Sequence, residues 1–556
     1  MAAGLSMWVR PEPFNFGALQ IAPHPKLSMH YLKKVAVYAK TKKQSGYPRM
    51  SYNTWKYIAC NKMGMKEEDA WLYFEGFDLL CEHSAEERLQ LAEKFTDSRS
   101  QEETEKVKSQ LSVSTLQFLL YLFVQQIYKI SLRVSLVASG EEWPMRARSP
   151  DIEGRSSGVG AKSLDENAHL TFVLNNLNDI LQLLVETDSY AGANDMLISI
   201  PAVEALGFLI SGSLDRSRSL KQLVDIALMQ HVQSKSGFSK ISQTFSFRTF
   251  GSWLRSNLGN NPYGLSACIT SGRRLSWPTS GGETSEREDS GSKRGRIATN
   301  AQYAPSGCKI VIISQVCKQT LAKCSKTLED AAVKIHRCHF AYIYLLSPLR
   351  SVNIEKCRHS TIVLGAVQTT VHVNACEDVT LITPCRRLSV NASTLCTFHL
   401  LTSTRPLILG GNDTITLAPY HTFYAVLEEH MAKAGIAATP NLWDQPLCLG
   451  PDHQVGRPVW ELMPTKEFFT FVIPYTMEGL TRETPGGLPT KYERALSQRE
   501  RSIQSWQKTV KEAGLTSEQR KEFQSLVEAK FQAWLAESGH KRELDGLVTP
   551  SPSKSS

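Results

Sequence analysis

The chain has 556 residues, 42% hydrophobic and 21% charged, with a net charge of +9. At ~150 residues per domain this length carries about three or four domains, and the apolar share is enough for packed cores, which excludes a wholly disordered chain. The positive excess is dispersed, so it does not select nucleic acid as a partner, and no run of ~18 uncharged apolar residues offers a transmembrane segment.

Residues 1–139 read as a helical region after a Pro-rich start. The first ten residues lack the apolar stretch of a secretory signal, so a soluble intracellular protein is expected. Trp71, Phe74, Phe77 and Leu80 recur at helical spacing, as do Leu116, Leu119, Leu120 and Phe123. Residues 140–168 are polar and Gly/Ser-rich and read as a flexible insertion. Helical patterning returns over 169–277, broken into short pieces by Pro201, Gly207 and Gly212. A second linker of mixed charge follows at 278–303. From 304 to 436 Val, Ile, Thr and Cys become frequent and apolar runs shorten, as in β-structure. Residues 424–438 look helical and are a candidate cap for that region, and 437–486 read as irregular.

Over 487–538 the helical pattern returns. Tyr492, Leu496, Ile503, Trp506 and Val510 mark one helix, which Gly514 ends. Thr516 with Gln519 makes a capping box for a second helix, whose apolar face carries Phe523, Leu526, Val527, Phe531, Trp534 and Leu535. This helical hairpin is expected to pack on the rest of the protein, with docking to a partner as the alternative. The Ser/Pro-rich residues 539–556 read as a disordered tail.

The β-region repeats every nineteen residues, in four blocks starting at Lys334, Asn353, His372 and Asn391. One column holds Cys338, Cys357, Cys376 and Leu395, and another Ile343, Ile362, Leu381 and Leu400. A third holds Ile335, Ile354, Val373 and Ala392, and the last Val352, Val371, Val390 and Leu409. A period near twenty is too short for two helices and suits one coil of a β-solenoid, in which like residues stack as inward ladders. A small, polarizable thiol suits a narrow ladder where neighbours lie ~4.8 Å above and below. Eight of the twelve cysteines fall between Cys308 and Cys396, and none forms a C-x-x-C pair, so they read as reduced, buried hydrophobes and not zinc ligands. His336, His339, His359, His372 and His399 share no column, so neither a metal nor another cofactor is expected.

Three pieces of this region carry a resemblance: GAVQTTVHVNAC at 365–376, the Cys385 stretch after it, and LAPY at 417–420. They resemble the tubulin-binding cofactor C, or C-CAP, family, which includes cofactor C, the X-linked retinitis pigmentosa protein and cyclase-associated proteins. The resemblance implies a right-handed parallel β-helix over 304–436, between a helical N-terminal half and the helical C-terminal hairpin. Catalytic members stimulate GTP hydrolysis on tubulin or Arf-like small GTPases, using the arginine of Ala-Cys-Gln-Gln-x-Arg as a finger that stabilises charge on the transferred phosphoryl group. The matching residues here are Pro384, Cys385, Arg386, Arg387, Leu388 and Ser389, so Arg386 and Arg387 replace the glutamines and Ser389 replaces the finger.

Serine supplies no cation. Arg387 is two residues away, on the same strand face but displaced by roughly 6–7 Å, whereas a finger depends on placement to about 1 Å. No catalytic residue is therefore expected, and the chain reads as a non-enzyme. Arg386 and Arg387 are expected at a solvated basic edge, or in a patch that binds an acidic surface such as tubulin. Ser389, next to inward Val390, is expected to face outward and to be free to meet a partner.

The resemblance implies a non-catalytic cytoskeletal scaffold in the cytoplasm, at the centrosome and spindle poles, acting in centrosome and Golgi positioning, cell shape and cell migration. Its partners would be tubulin, centrosomal proteins or an Arf-like small GTPase. The alternatives are a GTPase activator that uses a displaced arginine, and a tubulin-folding cofactor that needs only binding.

Overall fold

The computed structural model describes residues 5–15, 23–131, 166–185, 190–191, 195–214, 219–274, 296–450 and 458–538. The insertion expected at 140–168 lies outside them up to residue 165, as do residues 278–295 of the linker and the tail at 539–556.

The two helical regions of the N-terminal half share one core. Trp55, Phe74, Phe77, Phe118 and Leu119 from the first pack into the same cluster as Ile180, Leu206 and Phe250 from the second. A small sheet ties them together: Leu5–Val9 pairs antiparallel with Ile210–Leu214 and parallel with Leu258–Gly259. The Glu67–Asp78 helix buries Ala70, Leu72, Tyr73, Phe74 and Phe77, and Ala85–Asp97 follows it with a Ser84/Glu87 capping box.

Past residue 296 the chain winds into a parallel β-helix with two long sheets. The first sheet runs through Ile310–Ser314, Ala332–His336, Ser351–Glu355, Val367–Asn374 and the end of Glu377–Asn391. The second runs through Thr320–Lys323, Tyr342–Leu345, Arg358–Leu364, the start of Glu377–Asn391, Thr397–Leu401 and Ile415–Pro419. Arg296–Thr299, inside the expected linker, adds an antiparallel strand on Ile310–Ser314, and Arg273–Arg274 pairs antiparallel on its other side to close that end. The segment expected to be irregular supplies two more parallel strands, Leu447–Cys448 and Trp460–Leu462, one to each sheet.

Cys338, Cys357 and Cys376 stack inward at one corner and are almost fully buried. Each sits between left-handed residues: Arg337 and Phe340, Lys356 and His359, Ala375 and Asp378. A corner this tight leaves room for a small side chain, and each thiol finds backbone carbonyls, as Cys357 Sγ does at Glu355 (3.5 Å) and Ile335 (3.9 Å). The neighbouring Cys357 thiol and burial push Cys338 well above the usual thiol range, so the ladder stays neutral.

The nineteen-residue step holds only between the first three blocks. Ile343 pairs with Ile362, and Ile362 with Leu381, but Leu381 pairs with Phe398. Leu400 therefore does not belong to that column: its partners are Thr383 and Pro419. Val371 likewise meets Leu388, and Val373 meets Val390, so Val390 and Ala392 leave the columns given to them. At the cysteine corner Ser393 takes the place expected for Leu395: it is buried and its Oγ accepts from Cys376 N (3.2 Å), while Leu395 is exposed. The fourth coil is two residues shorter. The loss falls between Leu381 and Leu388, where Glu377–Asn391 passes from one sheet to the other as a single strand.

The Leu427–Ala434 helix does not cap an end. It lies on the outer face of the second sheet, packing Leu427 and Met431 against Tyr344, Val363, Ile382 and Leu401. Trp443, Phe468 and Tyr492 join the interior cluster of the β-helix instead. Tyr492 opens the Thr490–Glu512 helix, which turns back into Ser517–Ser538 as a hairpin. The hairpin does not pack on the body as expected: beyond its root Ile503, Trp506, Leu526, Val527 and Phe531 are exposed. No helix among the described residues is long and apolar enough to cross a membrane.

Candidate functional site

The residues that match the family motif sit in the shortened corner. Cys385 and Leu388 point into the β-helix and are fully buried. Opposite Cys385 the neighbouring coil bulges between Val367 and Thr370, so Arg386 and Arg387 leave the corner side by side, away from the interior. Ser389 also faces outward, paired with His372 and Leu407.

None of the three is free. Arg386, Arg387 and Ser389 are 8%, 3% and 4% exposed. The expected solvated edge is corrected by what covers it, which is the helical half of the same chain. Arg387 is paired with Glu75 of the Glu67–Asp78 helix. Arg386 donates Nη2 to Gly435 O at 2.6 Å and Nε to Gln368 O at 3.2 Å. Leu407 and Leu409, on the same outer face, pack into the core of the helical half.

The covering helix reads the arginines with an acidic stripe. Glu68, Glu75 and Asp78 lie seven and three residues apart, on one helix face. Glu68 Oε1 meets Arg405 Nη1 at 3.2 Å, Glu75 meets Arg387, and Asp78 lies within the field of Arg386. Burial alone would raise Asp78, but the hydrogen bond from His83 and the charges of His83, Arg88 and Arg386 outweigh it and hold the carboxyl below its usual range. Burial pushes the Arg386 guanidinium down, and Arg88 adds to that, yet it remains the cation of the joint at neutral pH.

Gly435 completes the contact. It ends the Leu427–Ala434 helix in the left-handed conformation, φ +63°, and a Cβ there would come within 3.1 Å of Ala85 Cα and Arg88 Cβ. Glycine at this position therefore lets two helices and Arg386 meet at one backbone carbonyl.

Sequence reasoning placed the cysteine ladder, Ile343, Ile362 and Leu381 in the interior, where they lie. It missed Glu68, Glu75 and Asp78. The signal is in the sequence: Glu75 and Asp78 lie between the apolar positions of that helix, and Glu68 stands three residues before Trp71.

Asp78, Cys81 and His83 bring three candidate ligand atoms within 4.8 Å of one another. Arg88 Nη1, 3.9 Å from Asp78, already supplies a cation there, which opposes a metal ion. A cleft of about 790 Å³ opens beside this cluster, between the helical half and the first coils, with Arg10, His83, Tyr263, Lys334 and Arg350 in its wall.

Comparison with known proteins gives a consistent result. The family described as Tubulin binding cofactor C matches residues 330–447. Over its whole length the chain is similar to TBCC domain-containing protein 1 of Homo sapiens, at 49% identity over 98% of this chain and 97% of that protein. The Mus musculus protein of that name is 48% identical over the full length of both. The Danio rerio one is 44% identical over 99% of this chain and 94% of its own.

Proposed function

The chain belongs to the family of TBCC domain-containing protein 1, and we propose that it is a non-catalytic cytoskeletal scaffold whose cofactor C-like β-helix does not activate a GTPase. It acts through tubulin or centrosomal proteins, at the centrosome and spindle poles of the cytoplasm, in centrosome and Golgi positioning, cell shape and cell migration. One observation carries the non-catalytic reading: the face that would present the finger is buried under the chain's own helical half, with Arg387 paired to Glu75. Loss of the cation at Ser389 and loss of access act together. A finger supplies about 10³–10⁵ in rate, and Arg387, the displaced candidate, is already engaged.

The test is GTP hydrolysis by tubulin and by an Arf-like GTPase, with and without the full chain. No stimulation is expected. Robust stimulation by the unmodified chain overturns the reading and moves the role to Arg387, which Arg387→Ala then removes. Pelleting with microtubules and the position of a tagged chain in cells test the scaffold role, and a diffuse cytosolic distribution counts against it.

A further inference from the structure

The hairpin is fixed at its root and unsupported beyond it. Tyr492 is fully buried, with its hydroxyl donating to Met463 O at 2.7 Å. Arg499 donates Nη1 to Phe468 O at 2.7 Å. From there the two helices, 23 and 22 residues long, project away with large side chains on the surface. Ile503, Trp506, Leu526, Val527 and Phe531 are 41–60% exposed. Trp506 and Phe523 touch across the hairpin with ring centroids 5.9 Å apart, but that contact leaves half of Trp506 uncovered.

Sequence pattern and charge identify the cover. Leu496, Ile503 and Val510 recur every seventh residue, with Trp506 three after Ile503, which is coiled-coil spacing. Two helices cannot enclose such a seam, whereas four can. The first helix carries six basic and three acidic side chains, net +3, and the second three basic and four acidic, net −1. A two-fold axis that sets the first helix of one hairpin against the second helix of another opposes unlike charges along both seams. At roughly 100 Å² for each half-exposed large side chain, Ile503, Trp506, Leu526, Val527 and Phe531 offer about 500 Å² per partner, the size of a reversible interface and smaller than the ~800 Å² of a standard one.

We propose that the hairpin is a homodimerisation element, two copies of the chain joining through their 490–538 segments as an antiparallel four-helix bundle. The dimer holds two β-helix bodies at opposite ends of one bundle, so that a scaffold with one binding surface per chain becomes bivalent.

Sedimentation equilibrium of the purified full chain across the micromolar range tests this. A mass of twice 62.1 kDa is expected. Trp506→Ser with Phe531→Ser should give the monomer mass and a dissociation constant at least about 100-fold weaker, the size of a central aromatic pair in an interface. Circular dichroism of the variant should keep its helical signal, which separates loss of contact from loss of fold. A full chain that stays monomeric overturns the proposal, and so does a dimer that persists in a folded double variant, because its interface then lies elsewhere.

Discussion

The arginine corner and the hairpin invert each other. Arg386 and Arg387 carry charges that are seldom buried unless paired, yet they are buried; Trp506 and Phe531 belong in a core, yet they are half exposed. The difference lies in what the rest of the chain offers. For the arginines the helical half provides the stripe of Glu68, Glu75 and Asp78, together with the carbonyl of Gly435. For the hairpin seam the described residues cover Leu496 and Leu535 at the root and leave Ile503, Trp506, Leu526, Val527 and Phe531 in water. A side chain's own polarity sets what burial costs, and a complementary surface decides whether burial happens.

Both regions hang on the β-helix, so the largest effect comes from breaking its ladder. Phe398 stacks between Leu381 and Leu417 and is fully buried. Phe398→Ala should cost about 3–5 kcal/mol by urea unfolding. Leu395→Ala should cost under about 0.5 kcal/mol, because that side chain is exposed. Equal costs would restore the gapless nineteen-residue register.

The next effect separates the corner from a solvated edge. Arg387→Ala removes the partner of Glu75 inside the joint. With Glu75 partly open to water, the loss should be about 2–3 kcal/mol, below the range for a fully buried pair. Adding Glu75→Gln should recover part of it, as the stranded charge is removed. A change within about 0.5 kcal/mol would mean that the corner is free in solution, and would reopen it as a docking face.

These two sites also mark how far the sequence could be read. The first three coils were legible because Ile343, Ile362 and Leu381 repeat a period set by local geometry, and the left-handed corners around Cys338, Cys357 and Cys376 repeat with it. The fourth coil misled because a two-residue deletion between Leu381 and Leu388 leaves apolar residues in plausible columns. Ser389 was correctly read as facing out of the β-helix, since strand alternation fixes that. Its covering was not legible, because it depends on carboxylates more than 300 positions away, and no period links Glu75 to Arg387.

Acid should loosen the hairpin's root before the arginine corner. His399 and His421 are buried with ring centroids 4.2 Å apart, and Phe468, which packs on Tyr492, lies against both. Burial pushes His399 down to about 4, and burial with the neighbouring His399 pushes His421 lower still. The folded state therefore binds fewer protons than the unfolded chain below the ordinary histidine value of 6.5. Stability is complete above pH 6.5 and falls as pH drops towards 4. At pH 5 each histidine should cost about 2 kcal/mol, and His399→Leu should remove its share of the slope. Asp78, held low by His83, Arg88 and Arg386, should keep its charge across that window. A slope unchanged in the variant would place the titrating groups elsewhere.

The smallest effects are the sharpest test of the contrast, because both sides predict almost nothing for different reasons. Arg405 and Glu68 sit at the rim of the acidic stripe with side chains 40% and 63% exposed, so Arg405→Ala should cost at most about 1 kcal/mol and less at high salt. Trp506→Ser should change the unfolding free energy of the monomer by about 0.5 kcal/mol or less, since half of the side chain is already in water. The two substitutions part company once concentration is varied. A rim ion pair within one chain has no concentration dependence, so the Arg405 variant should follow the parent's melting temperature with the same small offset at every dilution. If the hairpin joins two chains, the parent's melting temperature rises with concentration and that of the Trp506 variant does not, because mass action stabilises only the form that associates. A large loss for Trp506→Ser at high dilution would instead mean that the hairpin folds back onto its own chain, and the inversion would disappear.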